Sequence, residues 1–296
     1  MSVLVVGDVV TDVLAVLSGP LAVGSDTPAE VRLTAGGSAA NTAVWLARAG
    51  AAVTLAATVG DDPAGEARLA ELSAAGVRLA VRRCPGASTG TVVVLTGPHE
   101  RSMLCDRGAN LLLAPSDVDD GLAVSTAAHV HLSGYTLFDE RSRTAGRYAL
   151  AEARRRGLTT SVDAASAAPL HRAEGFLDWV RGADLLFANL DEARVLTGRS
   201  AAPADQAAAL AGALAEVAGA AVVKRGADGA VWARGTDVIS VPAEPAVAVD
   251  PTGAGDAFAA GLLAAWLAGE APLEALRAGA RLGALAVGTV GGRPAA

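Results

Sequence analysis

The run Asp250-Pro251-Thr252-Gly253-Ala254-Gly255-Asp256 leads directly into an apolar stretch of helical length, Phe258 to Leu267. Residues 253 to 255 carry almost no side chain, so their backbone N–H groups can approach an anion closely. The positive end of the helix that follows points at the same place. Asp256 then needs a reason of its own, because a carboxylate beside a bare anion site repels the ligand. Chemistry supplies one: a carboxylate here can orient or deprotonate a hydroxyl that attacks a phosphoryl group. Two common phosphate motifs do not match. A dinucleotide fingerprint begun at Gly253 and Gly255 needs glycine where Phe258 stands, and a Walker loop needs a lysine that is not nearby. The plain alternative is a loop entering a helix, with Asp256 as an N-terminal charge.

Further upstream, Gly36-Gly37-Ser38-Ala39-Ala40-Asn41 opens another helical pattern, and Asp12 follows the first apolar run by a few residues. A glycine pair admits close backbone approach and Asn41 presents an amide, a set suited to the hydroxyls of a small polar ligand; an ordinary tight turn is the simpler reading. Asn189 and Glu192 stand three apart at the start of a helix. They form either a capping box or an amide and a carboxylate converging on a hydrated Mg²⁺. Of the 24 Lys and Arg residues, Lys224 is the only lysine; it sits in Val223-Lys224-Arg225-Gly226-Ala227-Asp228-Gly229, where cations followed by glycine suit a polyphosphate tail. Arg107 offers either a contact to an acidic or hydroxylated ligand or a surface ion pair. His129 and His131 share one face of a strand, but no third metal ligand lies near in sequence.

Elements that could position these residues are legible in the hydropathy pattern. Strands are expected at Val3–Val6, Val53–Val59, His129–Leu132, Thr159–Val162, Leu185–Phe187 and Ala221–Val223. Helices are expected at Ala39–Ala49, Ala64–Ala75, Arg141–Arg156, Asp205–Val217, Asp256–Leu267 and Leu273–Val287, with Gly50 and Gly76 as stops. Alternation of this kind predicts an α/β fold with a parallel sheet covered by helices on both faces. The segments 9–34 and 89–110 break the pattern. They read as hairpin strands forming a small β lid over the carboxyl ends of the sheet, where ligands bind in open α/β folds.

At 296 residues, 52% hydrophobic and 19% charged, the chain has ample material for a core, and the absence of repeats or long linkers favours one domain over 1–296. A net charge of −7 argues against nucleic acid as a partner. The N-terminal apolar run is too short for a signal peptide and no stretch matches a membrane span, so a soluble, cytoplasmic protein is expected. Cys84 and Cys105 lack C-x-x-C spacing and read as reduced, buried thiols.

Taken in order, Gly36-Gly37 to Asn41, Asn189 to Glu192, Lys224 to Gly229 and above all Asp250 to Gly261 resemble the ribokinase-like family of carbohydrate and nucleoside kinases, also called the PfkB family. The resemblance runs from Gly7 to about Gly292 and implies a three-layer α/β sandwich with a mostly parallel central sheet and a small β lid. It implies transfer of the γ-phosphoryl of ATP, with Mg²⁺, to a hydroxyl of a small sugar or nucleoside. By similarity Asp256 is the base, and the amides of Gly253, Ala254 and Gly255 form the anion hole. Asp12, Gly37 and Asn41 match the family's acceptor-binding positions, and Gly36 and Arg107, read from the residues alone, are taken as candidate acceptor contacts beside them. Asn189, Lys224, Arg225, Gly226, Asp228 and Gly229 fall at the nucleotide, and Glu192 organises the metal. Asp250 and Thr252, with Ala286, Thr289 and Gly291 as later contributors, match a monovalent cation site that would take K⁺. The helix N-terminus is expected to keep Asp256 ionised, so that its value lies in placement and not in a high pKa. The chain departs from ribokinase proper at Ser38, where that enzyme tends to have lysine, and at Ser133-Gly134-Tyr135, where it tends to have glutamate; both differences weaken the case for ribose. A nucleoside kinase and a non-catalytic sugar or nucleotide binder are the alternatives. Exposed lid edges favour a homodimer through 9–34 and 89–110.

Overall fold

The computed structural model describes residues 2–96, 101–199 and 206–294. Thirteen strands follow in chain order: β1 (Ser2–Val6), β2 (Val10–Leu17), β3 (Ala29–Gly36), β4 (Ala52–Gly60), β5 (Arg78–Cys84), β6 (Gly90–Thr96), β7 (Arg101–Asp106), β8 (His129–Ser133), β9 (Thr159–Asp163), β10 (Leu185–Asn189), β11 (Ala221–Lys224), β12 (Ala230–Arg234) and β13 (Asp237–Val241). The helices are α1 (Ser38–Arg48), α2 (Pro63–Ala74), α3 (Pro115–Val124), α4 (Tyr135–Phe138), α5 (Glu140–Arg155), α6 (Ala167–Leu170), α7 (Phe176–Val180), α8 (Leu190–Thr197), α9 (Gln206–Ala215), α10 (Ala254–Leu267) and α11 (Pro272–Val287).

Nine strands form the central sheet in the order β13-β12-β11-β10-β9-β8-β1-β4-β5. From β11 to β5 every pairing is parallel, and β12 and β13 add an antiparallel hairpin at one edge. Side chains alternate between faces along each strand. In β1, Val3 and Val5 join a core shared with Trp45 of α1 and with Phe258 and Leu262 of α10, while Leu4 and Val6 join a second core with Leu150 of α5 and Leu210 of α9. Helices thus cover both faces, which is why the strands read as continuous apolar runs. The expected stops are present, with Gly50 at φ +85° and Gly76 at φ +82°.

A second, four-stranded sheet has the order β3-β2-β6-β7 and is built from the two segments that broke the pattern. Residues 97–100 of the expected lid and Asp205 of the expected helix lie outside the described residues. β5, α3 and the β12–β13 hairpin were not anticipated. β5 carries Arg78, Arg82 and Arg83, and Arg82 donates to Asp117 of α3 at 2.6 Å, so an ion pair stands where an apolar run was sought. Among the described residues no helix is long and apolar enough to cross a membrane. Both cysteines are free. Cys84 is buried as expected, but Cys105 is exposed, because β7 turns it toward an open cleft.

Candidate active site

A cleft of about 820 Å³ lies at the carboxyl ends of the parallel strands. Its floor is made where strands stop: Asp8 after β1, Asp163 ending β9, Asn189 ending β10 and Lys224 ending β11. Its roof is the small sheet. Asp12 pairs in register with Val92, and Val92 with Cys105, so the three share one face, and that face lines the cleft together with Val10, Val94 and Met103.

The turn at residues 253–255, expected to meet an anion, lines the cleft together with floor and roof. Gly253 caps α10 at φ +73°, and a Cβ there would lie 2.4 Å from the carbonyl oxygen of Gly292, so both conformation and space require glycine. Among the described residues the amides of Gly253 and Gly255 have no protein acceptor. Ala254 departs from the expected set of three, because its N–H donates to the Pro251 carbonyl at 3.3 Å and is partly spent in closing the turn.

Asp256 lies one residue further, lining the cleft. Its Oδ1 accepts from Ser38 Oγ at 2.8 Å and its Oδ2 from Asn41 Nδ2 at 3.0 Å. The expectation of an ordinary carboxylate is overturned. Loss of solvent, with the negative charge of Asp163 added, outweighs both hydrogen bonds and the nearby Lys224, and pushes Asp256 up to about 7.

Of the residues expected at an acceptor, Asp12, Gly37, Asn41 and Arg107 line the cleft together, with Ser38 beside them. Gly36 does not. A Cβ at Gly36 would stand 2.4 Å from Asp12 Oδ2, so this glycine makes room for the Asp12 carboxylate. Gly37, at φ +98°, lets the chain pass the Asp8 carbonyl, which a Cβ would approach to 2.5 Å. Asp8 was missed from sequence. Its carboxylate accepts from the Ser38 and Ala39 amides at the start of α1 and from Ser133 Oγ, and it lies 3.6 Å from Arg107. Arg107 also stacks over Tyr135 at 4.4 Å, so it is a half-buried wall of the cleft and not a surface ion pair.

Asn189, Glu192, Lys224, Gly226 and Gly229 also line the cleft. Arg225 and Asp228 line a recess beside Gln206 and Pro242 that adjoins the cleft at Ala227 and Ala243, and their backbone closes the turn, Arg225 N donating to Gly229 O at 2.7 Å. Asn189 and Glu192 do form the capping box, with Glu192 N donating to Asn189 Oδ1 at 2.9 Å and Asn189 N to Glu192 Oε2 at 2.7 Å. Burial, followed by the charge of Asp163, pushes Glu192 up to about 7. Lys224 Nζ donates to Asp163 Oδ2 at 2.8 Å. Burial opposes the charge on each partner, and their mutual attraction overrides it, keeping the lysine protonated and the aspartate ionised.

Other residues were also missed. Asp163 ends a buried strand as Asp8 follows one, and a carboxylate at the carboxyl end of such a strand was the available signal. The loop carrying Ala243, Pro245 and Ala248 and the α11 face of Ala280 and Gly283 supply an apolar wall beyond Glu192. For these nothing in the sequence pattern marks a ligand.

Regarding metals, no cluster of three or more His, Cys, Asp or Glu side chains that could hold an ion occurs among the described residues. Thr252 N and Oγ1 donate to Asp250 Oδ1 at 2.9 and 2.5 Å, and Gly291 N donates to Asp250 Oδ2 at 2.9 Å. Asp250 thereby ties the 253–255 turn to the chain's last loop, and this donor set gives no support for the expected K⁺ site. Glu192 fits Mg²⁺ better: a carboxylate at the cleft whose ionisation is opposed by burial and by Asp163 is one that a divalent cation would favour. His129 and His131 are buried in the sheet, both bonded to Ser161.

A large, mostly parallel sheet between helical layers, with a smaller sheet over a cleft at its carboxyl edge, is the ribokinase-like architecture, a fold of phosphotransferases. The whole chain, residues 1–296, matches the pfkB family of carbohydrate kinases and belongs to that family. It is 34% identical to the ATP-dependent ribose-1-phosphate kinase of Halopiger xanaduensis, over 93% of this chain and 88% of that protein. It is 32% identical to the 2-dehydro-3-deoxygluconokinase of Thermoproteus tenax, over 98% of this chain and 90% of the relative. Among solved structures, adenosine kinase from Sinorhizobium meliloti superposes with a TM-score of 0.89 at 27% identity, covering 100% of this chain and 96% of that one.

Proposed function

We propose that the protein transfers the γ-phosphoryl of ATP to a hydroxyl of a small, sugar-like acceptor, with Asp256 as the base. The observation that carries this reading is the placement of the Asp256 carboxylate. It is held by Ser38 and Asn41 immediately beside two amides that have no acceptor among the described residues, in a cleft lined at one side by Asp12 and Arg107 and at the other by Asn189, Glu192 and Lys224. An acceptor hydroxyl lying between Asp12, Asn41 and the anion turn loses its proton to Asp256 as it attacks. The amides of Gly253 and Gly255, with the protonated Lys224, hold the oxygens of the moving phosphoryl group, and the lid excludes water from the transfer. Lys224 lies against the turn, 3.1 Å from where a Cβ on Gly255 would be. Mg²⁺, when bound with the nucleotide beside Glu192, neutralises phosphate charge. ATP as donor is in keeping with the name of the Halopiger relative.

Three relatives with three different acceptors leave the acceptor to this chain's own lining. Val10, Val92, Val94 and Met103 form an apolar wall on the same face as Asp12, and this apolar surface is what supports a nucleoside acceptor as the second reading. A panel of sugars, sugar phosphates, sugar acids and nucleosides in an ADP-release assay decides between them. Asp256→Asn is expected to lower kcat by about 10²-fold or more with ATP affinity little changed. Wild-type turnover in that variant, or ligand-induced thermal stabilisation without ADP release from any acceptor, would sink the reading.

A further inference from the structure

The last described residues are threaded through the site. Gly291 N bonds Asp250, the Gly292 carbonyl accepts from Trp45 Nε1 at 3.0 Å, and a Cβ at Gly292 would lie 2.4 Å from Asn41 Nδ2. Arg293 then turns back toward α1. Its guanidinium, 11% exposed, donates Nε to Asn41 Oδ1 at 3.2 Å and Nη2 to the Gly36 carbonyl at 3.1 Å, with Nη1 3.5 Å from Glu71 Oε2.

An asparagine side chain can offer a neighbour either its NH₂ or its carbonyl. With Nδ2 toward Asp256 it donates at 3.0 Å; turned over, two oxygens would face each other. A guanidinium has only donors, so on its side it admits only the Asn41 oxygen. We infer that Arg293 is a positioning residue for phosphoryl transfer: by donating to Asn41 Oδ1 and Gly36 O it locks the Asn41 amide to donate to Asp256. The inference rests on Asp256 being the base. Charged and titratable groups around the Asp256–Asn41–Arg293 chain include Asp163 of β9, Lys224 of β11, Tyr135 of α4, Asp12 of β2 and, beside the guanidinium, Arg68 and Glu71 of α2, while Ser38 and Asn41 of α1 supply the hydrogen bonds of Asp256. Losing Arg293 removes a cation and frees the amide to turn. Both changes disfavour the ionised carboxylate.

The test is the pH dependence of kcat/KM, with ATP and the fastest acceptor of the panel. Arg293→Met is expected to lower kcat about tenfold or more with KM for ATP within about twofold. Its acid limb should move up by roughly half a unit or more. Arg293→Lys, which keeps the cation and a donor, recovers part of both changes. Glu71→Gln, which leaves the donors to Asn41 and Gly36 in place, does not move the limb. In an Asn41→Ala background, Arg293→Met adds little. An unmoved limb in Arg293→Met, or full additivity with Asn41→Ala, overturns the inference while leaving Asp256 as base. A wild-type profile without an acid limb, together with full turnover of Asp256→Asn, removes the base assignment and the inference with it. Should Arg293→Met show no cooperative thermal transition, Arg293→Gln, too short to span both acceptors, takes its place under the same criteria.

Discussion

At the scale of single residues the site concentrates carboxylates that the fold makes hard to ionise. Asp256, ordinarily near 3.8, and Glu192, ordinarily near 4.5, are both raised to about 7. Two consequences have opposite directions. Activity needs Asp256 ionised, so kcat/KM is expected to fall as pH drops through about 7, with a slope of one proton. Stability behaves otherwise. Between its unfolded and folded pKa values each group keeps its proton only in the folded state, so its favourable contribution is complete below about 4 and is lost as pH rises through about 7. The buried imidazoles of His129 and His131, both lowered by loss of solvent, act with the opposite sign as pH falls below about 6.5, so the Asp256 contribution is read as a difference between two proteins. Asp256→Asn, which cannot ionise, should melt higher than wild type at pH 8, with the gap closing at pH 5.5. Thermal unfolding of the two proteins at both pH values checks this, and a constant gap would show that Asp256 carries an ordinary carboxylate pKa.

At the scale of elements, what could be read in the sequence follows from how each residue does its work. Glycines before α1 and α10 were legible because the backbone itself must be bare there, and Gly253 and Gly37 do sit at positive φ. The strands buried on both faces and the lid segments were legible from their periodicity. Asp8, Asp163 and Arg293 were not, because the partners that tie them to the site, such as Ser38, Lys224 and Gly36, lie 30 to 257 positions away. The raised pKa of Asp256 was also hidden, since it arises from burial and from Asp163 on a different strand. Gly36 and Gly253 now separate by role. Gly36→Ala would push the Asp12 carboxylate out of place and should raise KM for the acceptor several-fold while leaving KM for ATP unchanged. Gly253→Ala, strained at φ +73° and in collision with Gly292, should cost about 1–3 kcal/mol of stability and lower kcat. Urea unfolding and steady-state kinetics distinguish the two; equal loss of acceptor affinity in both would show that the glycines act as one unit.

On the scale of the whole molecule the lid does two things with two faces. Its inner face, through Val10, Asp12, Val92 and Val94, walls the cleft. β3, at one edge of the small sheet, is mostly exposed and presents Val31 at 59% and Leu33 at 70% accessibility, while β7 at the other edge exposes Leu104 at 59%. Unpaired strand edges beside apolar side chains are costly to leave in water and pair readily with an identical edge across a two-fold axis. A homodimer through the lid is therefore expected at micromolar concentration, measured by sedimentation equilibrium, with Leu33→Arg shifting the protein to monomer. Because β3 pairs along its length with β2, whose Val10 and Asp12 wall the cleft, pairing two lids stiffens both clefts. The monomeric variant should then show a raised KM for the acceptor before any change in KM for ATP. Sedimentation of the wild type as a monomer would remove this account, and a dimer untouched by Leu33→Arg would move the interface away from β3.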